Sequence, residues 1–313
     1  MEMVSIADIR SAAVDIAGTV LRTPLMRSGW DAELWLKPES LQPVGSFKLR
    51  GATHAVARLT PEQRARGVLT HSSGNHGLAL AYAARAAGVA CTVVVPEGAP
   101  AVKVERIRAL GPQVVLVPPP RRIPEAERIA EETGAVLVPP FDDLRIIAGQ
   151  GTIGLEIIED LPDVDAVLVP VGGGGLSSGI ATAVKALRPS TAVIGVEPEL
   201  AADARDSLAE GSVMVWGEEL TYRTMADGLR LPPSDLTLSH LRKHLDGIIT
   251  VAEEEIAAAM GRLVRDARLV VEPSAAVAVA ARLFRRDELP AGPTVAVVTG
   301  GNVDSAVLAS VLC

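Results

Sequence analysis

The sequence predicts an α/β chain with a doubly wound, mostly parallel arrangement. Short β-branched runs alternate with longer Ala-rich segments of helical spacing, the pattern of parallel strands joined by helical crossovers. Several of these strands also run straight into Gly- or Ser-rich loops, as strands do at the ligand edge of an open parallel sheet.

Taken in order, strands are expected at 67–71, 91–95, 113–117, 135–138, 166–171, 192–197 and 294–299. Each is a short apolar run rich in Val, Leu or Ile and bounded by Gly, Pro or polar residues. Helices fit between and around them at 49–59, 77–87, 102–110, 125–133, 152–160, 176–187 and 253–265, where alanines and charges recur with a helical period. The prolines at 118–120 and 139–140 read as loop punctuation, and there is no internal repeat or low-complexity tail.

At 313 residues the chain is long enough for one large or two modest domains. A net charge of -8 argues against a nucleic-acid or acidic-membrane surface and suits a small neutral or zwitterionic substrate. Cys91 and Cys313 build neither a disulfide framework nor a Cys-rich metal site, so a reducing cytoplasm is expected. The acidic N-terminus does not resemble a signal peptide, and no run reaches the roughly 18 apolar residues of a membrane span.

Four strand ends carry the chemistry: His71-Ser72-Ser73-Gly74-Asn75-His76-Gly77, the run Gly172 to Gly175, Glu197-Pro198, and Thr299-Gly300-Gly301-Asn302. Open-sheet geometry places all four loops on one edge. Four glycines before the helix at Leu176 leave backbone N–H groups open to a phosphate, with the helix dipole adding positive charge. A plain turn would not require four such entropically costly residues. Glu197, some twenty residues on, would equally serve as the ribose acid of a dinucleotide site.

Lys48 lies at a helix start in Gly45-Ser46-Phe47-Lys48-Leu49-Arg50-Gly51. There the dipole disfavours an ammonium and favours an amine able to form an imine, although a lone lysine is by default an exposed one. Ser72, Ser73, Gly74, Asn75 and His76 offer donors at a helix start, suited to a substrate carboxylate. Thr299 is either a strand cap or a hydroxyl facing a ring nitrogen. Glu197, the Ala201 carbonyl and Asp203 would offer oxygens to a hard cation, but as residue types they read first as solvated caps of the next helix. His240 and His244 sit on an amphipathic helix over 238–245, expected to show them to solvent. The Glu33/Lys37 and Glu105/Arg108 spacings read as surface charge pairs.

With these residues in view, the chain resembles the fold type II enzymes that use pyridoxal 5'-phosphate (PLP), within them the catabolic threonine/serine dehydratase and serine racemase group. The likeness runs from Arg22-Thr23-Pro24-Leu25 through Lys37-Pro38-Glu39, Gly45 to Lys48, Ser72 to Gly77, Ala148-Gly149-Gln150-Gly151-Thr152, the Gly172 run and Ala226-Asp227-Gly228 to Gly300-Gly301-Asn302. The stretch 213–238 matches only at Ala226-Asp227-Gly228.

The resemblance implies a tryptophan synthase β-like fold of two open twisted sheets flanked by helices. A large domain of 1–55 and 146–313 and a small one of 67–142 would hold the cofactor between them. Lys48 would carry PLP and move the Cα proton on one face, with Ser73 as acid/base on the other. Phe47 would lie against the ring, Asn75 would meet the phenolic oxygen and Thr299 the pyridine nitrogen. Gly172, Gly173, Gly174, Gly175 and Leu176 would hold the phosphate, with Gly228 also at the cofactor. Glu197, Ala201 and Asp203 match the group's divalent-cation site, for Mg, Mn or Ca. The activity implied is β-elimination of water from L-threonine or L-serine in a homodimer, with the phosphate as proton donor to the β-hydroxyl; racemisation is the alternative. Phe141 inclines toward dehydratase, Ser73 toward racemase. Arg122, Tyr222 and Arg223 are candidate substrate contacts. With no regulatory module after Cys313, a catabolic or specialised role is expected. An NAD-binding oxidoreductase is the reading from another class, on the Gly172/Glu197 spacing.

Overall fold

A computed structural model describes residues 2–312 of the chain. Met1 and Cys313 lie outside the described residues, so the role expected of Cys313 does too.

The strands are β1 (Met26–Arg27), β2 (Leu34–Pro38), β3 (Val68–Thr70), β4 (Cys91–Pro96), β5 (Gln113–Val117), β6 (Val136–Leu137), β7 (Ala166–Pro170), β8 (Ala192–Pro198), β9 (Gly247–Val251) and β10 (Thr294–Val298). They form a six-stranded sheet of order β1-β2-β10-β7-β8-β9 and a four-stranded sheet of order β5-β4-β3-β6. Every pairing is parallel except β1 with β2. Strands β7 and β10 are buried at every position, which explains why they read as unbroken apolar runs: helices cover both faces of a parallel sheet.

All seven predicted strands form, with ends within one residue of those expected. Strands β1, β2 and β9 lie outside the expected set. Leu34-Trp35-Leu36-Lys37-Pro38 carries a lysine and a proline, yet Lys37 is fully buried and its Nζ lies 2.6 Å from Glu156 and 2.7 Å from the Thr23 carbonyl. The expected Glu33/Lys37 surface pair therefore does not exist; Glu33 instead meets Arg282 and Arg286. Glu105 and Arg108 do form their exposed pair, at 3.3 Å.

The helix expected at 152–160 begins at Leu144, capped by Asp143, and runs to Asp160 through Gly149, Gly151 and Gly154. Glycine propensity argues against such a helix, and tertiary contact overrides it. A Cβ on Gly149 would stand 2.6 Å from the Gly51 Cα, and one on Gly179 would stand 2.3 Å from the Ile147 carbonyl oxygen. These glycines let helix Leu144–Asp160 touch both helix Lys48–Ala57 and helix Gly175–Leu187 along their backbones. The lysine-bearing helix and the helix that follows the glycine loop are thus seated on one common support.

Beneath that contact lies a closed ionic network. Arg50 donates to Glu39 through Nε and Nη2, each at 2.8 Å, and to Glu156 through Nη1 at 2.6 Å and Nη2 at 2.9 Å. Thr23 adds a 2.7 Å hydroxyl bond to Glu39. Buried charges persist only when matched in this way. Among the described residues no helix is long and apolar enough to cross a membrane.

Candidate active site

The carboxyl ends of β3, β7 and β10 open on one cavity of about 300 Å³ between the two sheets. Phe47, Lys48, Ser72 to His76, Gly172 to Leu176, Gly228 and Thr299 all line it, so residues scattered from 47 to 299 converge. The Glu197-Pro198 end of β8 lies on the same carboxyl edge of the large sheet as the ends of β7 and β10, as expected, but does not line the cavity.

Lys48 opens helix Lys48–Ala57, and the loop before it is tied to the end of β10. Phe47 N–H donates to the Thr299 carbonyl at 3.0 Å, and Gly301 N–H to the Gly45 carbonyl at 2.9 Å. The Lys48 amine donates to the Pro140 carbonyl at 2.7 Å and stands 5.0 Å from the Phe47 ring centroid. Burial pulls its pKa down to about 8 against the opposing charge of Glu272, so about a tenth of the amine is neutral at pH 7, far more than for an ordinary lysine.

Across the cavity, the amides of Gly172, Gly173 and Gly174 donate to no partner among the described residues. They precede helix Gly175–Leu187, so unpaired N–H groups and a helix N-terminus face the same space. Packing requires the glycines as well: Gly174 has φ +84°, and a Cβ on Gly173 would meet the Phe141 ring at 2.3 Å. The residues present fit one ligand with a phosphate at the glycine amides and an amine-reactive carbonyl at Lys48.

The Ser72 to His76 loop leads into helix Asn75–Ala86. His76 is buried, its Nε2 2.9 Å from the Val138 carbonyl, and burial with the charge of Lys48 pushes its pKa down to about 3. It is neutral, with the proton on Nε2 given to that carbonyl, so its side chain brings no charge to the cavity. Arg122 lines the cavity and donates to the His71 carbonyl at 3.2 Å. Tyr222 and Arg223 do not line it; Tyr222 is exposed and stacks under Arg230.

Glu272 escaped the sequence reading. In Val271-Glu272-Pro273 it looks like an ordinary cap of helix Pro273–Phe284, yet its side chain makes no capping bond and enters the cavity. Asn302 and Asp227 stand in motifs the sequence offers but carry no assigned role there, and Lys103, 3.2 Å from Asp227, carries no sequence signal at all.

Away from the cavity, the Glu197 oxygens accept from the amides of Ala204 and Arg205 at 3.0 and 2.8 Å. Glu197 caps the next helix, as its residue type suggested, but it and Asp203 are wholly buried, not solvated. Neither Asp203 side-chain oxygen has a hydrogen-bond partner among the described residues. Burial pushes Glu197 up to about 8 and Asp203 up to about 6. His240 is also buried, accepting from Val4 N–H at 3.0 Å, so its face of helix Asp235–His244 is not solvent-exposed.

The chain is 44% identical to L-threonine ammonia-lyase of Thermotoga maritima over 312 residues, covering 96% of this chain and 76% of that protein. It is 40% identical to beta-hydroxyaspartate dehydratase of Paracoccus denitrificans over 305 residues, covering 95% and 96%. Among solved structures it superposes on maize serine racemase with a TM-score of 0.92 at 38% identity, over 99% of this chain and 97% of that one. Such relatives support PLP-dependent elimination or racemisation and remove the case for a dinucleotide site. The family model described as "Pyridoxal-phosphate dependent enzyme" matches residues 16–300, and the chain belongs to that family, with the fold type II architecture.

Proposed function

We propose that the protein is an ammonia-lyase that converts L-threonine and L-serine to 2-oxobutyrate or pyruvate and ammonia. The observation that carries this is the pairing, within one cavity, of the buried Lys48 amine with the unpartnered Gly172 to Gly174 amides. PLP, when bound, supplies the electron sink for breaking the Cα–H bond.

Gly172, Gly173, Gly174, Gly175 and Leu176 would hold its phosphate, Phe47 its ring face, Asn75 its phenolic oxygen and Thr299 its pyridine nitrogen, with Gly228 beside it. A hydroxyl partner at that nitrogen offers less charge stabilisation than a carboxylate, which favours prompt loss of a β-substituent. Ser72, Ser73, Gly74, Asn75 and His76 would seat the substrate carboxylate at the start of helix Asn75–Ala86. Lys48 would take the Cα proton, water would leave from Cβ, and hydrolysis of the released enamine would return one water and free ammonia.

Racemisation is the second reading, favoured by Ser73 lining the same cavity as Lys48. Glu197, Asp203 and the Ala201 carbonyl would hold a divalent cation, Mg, Mn or Ca, which fits two buried carboxylates one of which lacks any partner. We further take 67–142 as a small domain set against 1–55 with 146–313, in a homodimer within a reducing cytoplasm.

A proton NMR time course of the PLP-loaded protein with L-serine and L-threonine in deuterated water tests the reading. Pyruvate and 2-oxobutyrate without deuterated serine are expected. Cα-deuterated serine containing the D form would make racemisation the main chemistry, and no change would refute the proposed substrates.

A further inference from the structure

Asn75 sits in a chain of hydrogen bonds whose direction is fixed from one end to the other. The Val44 carbonyl accepts from Asn302 Nδ2 at 2.9 Å, and a carbonyl can only accept, so the Asn302 amide is oriented. The same Nδ2 donates to Asn75 Oδ1 at 2.7 Å, and Asn75 Nδ2 donates to Glu272 Oε1 at 2.7 Å. Asn75, which lines the cavity, therefore has a single side-chain N–H left to offer.

The fold makes room for this arrangement. A Cβ on Gly300 would stand 2.3 Å from Glu272 Oε1, so only glycine admits the carboxyl there. Glu272 occupies the cap position of helix Pro273–Phe284 yet leaves that helix uncapped, while its backbone N–H donates to the Gly300 carbonyl at 3.1 Å. The chain also joins helix Asn75–Ala86, which follows strand β3 of the small sheet, to the segment after β10 of the large one.

We infer that Glu272 is a positioning residue, which with Asn302 locks the Asn75 amide so that its remaining N–H is presented to the cofactor. The inference rests on the proposed PLP site and adds to it a residue that fixes one of its contacts. Glu272 is ringed by charge: Lys48 from its own helix, Lys103 and Arg106 from helix Ala101–Arg108, and Asp227. Burial pushes its pKa up to about 7, with Asp227 adding to the rise and the Asn75 bond opposing it. Its carboxylate, the stronger acceptor for Asn75, prevails above that pH.

The test is titration of cofactor-free protein with PLP, read by affinity and by the visible absorption band. Glu272→Ala is expected to weaken PLP binding by about 10- to 100-fold, the loss of one hydrogen bond to a charged group, and to shift the band. Glu272→Gln keeps an acceptor and is expected to recover affinity to within about threefold while losing the change in affinity around pH 7. Once Asn75 is alanine, Glu272→Ala is expected to have no further effect, since the two act as one unit. A folded Glu272→Ala protein with native affinity and band would overturn the inference, as would an undiminished effect in the Asn75→Ala background. Should Glu272→Ala not fold, Asn302→Ala decides: native affinity and band overturn the inference, and a loss of the predicted size supports it. A native chain that takes up no PLP defeats the proposed site itself, whereas native uptake with an indifferent Glu272 defeats only this step.

Discussion

Replacing Arg50 with methionine should expose how far the site depends on the ionic network beneath it. The side chain is fully buried and makes four bonds of 2.9 Å or less to Glu39 and Glu156. Methionine fills most of the volume but leaves two carboxylates facing Lys37 alone, and breaking a buried pair on one side costs about 3 to 5 kcal/mol. At about 2 °C per kcal/mol for a chain of this size, the melting temperature at pH 8 should fall by roughly 6 to 10 °C. The pH dependence gives a second check. Burial pushes the Glu39 carboxyl up, and the charge and hydrogen bonds of Arg50 outweigh it, so the native value lies below the ordinary one. Native stabilisation by Glu39 is thus present above its unfolded pKa of about 4.3 and is lost as pH falls through the lower folded value. In Arg50→Met burial dominates, the folded acid holds its proton more tightly than the unfolded one, and the variant gains stability as pH falls. Calorimetric melts should show a smaller gap at pH 5 than at pH 8. A variant melting within about 1 °C of native at both would refute the reasoning.

Lys48→Met should raise the melting temperature of the cofactor-free protein at pH 7. A pKa lowered to about 8 from 10.5 represents about 3 kcal/mol of cost at about 1.36 kcal/mol per unit. The folded amine loses its proton near 8 and the unfolded one near 10.5, so native stability rises across that window and the two melting curves should converge by its top. Gly173→Ala places a methyl 2.3 Å from the Phe141 ring; about 1 to 3 kcal/mol of destabilisation is expected by chemical denaturation, eased by adding Phe141→Ala. Mg, Mn or Ca at about a hundred times its dissociation constant should add about 2.7 kcal/mol of stability, lost in Asp203→Asn. Unchanged melting with each ion would leave Glu197 as a helix cap only.

The amino-acid sequence by itself determined the α/β class, the central strands and the residues that converge on the cavity. Buried parallel strands must be apolar at every position, and a phosphate cradle must shed its side chains, so both leave marks that survive without coordinates. It misjudged residues whose partners are remote in the chain. Lys37 read as solvated because Glu156 is more than a hundred residues away, and the helix expected only from 152 left out Gly149 because the backbone that glycine admits belongs to another helix. Glu272 was invisible for the same reason: Gly300 is brought to it by the return of β10 and Asn75 by the docking of the small sheet. Local pattern records what a residue must avoid or bury, whereas the identity of a buried charge's partner is decided by tertiary packing alone.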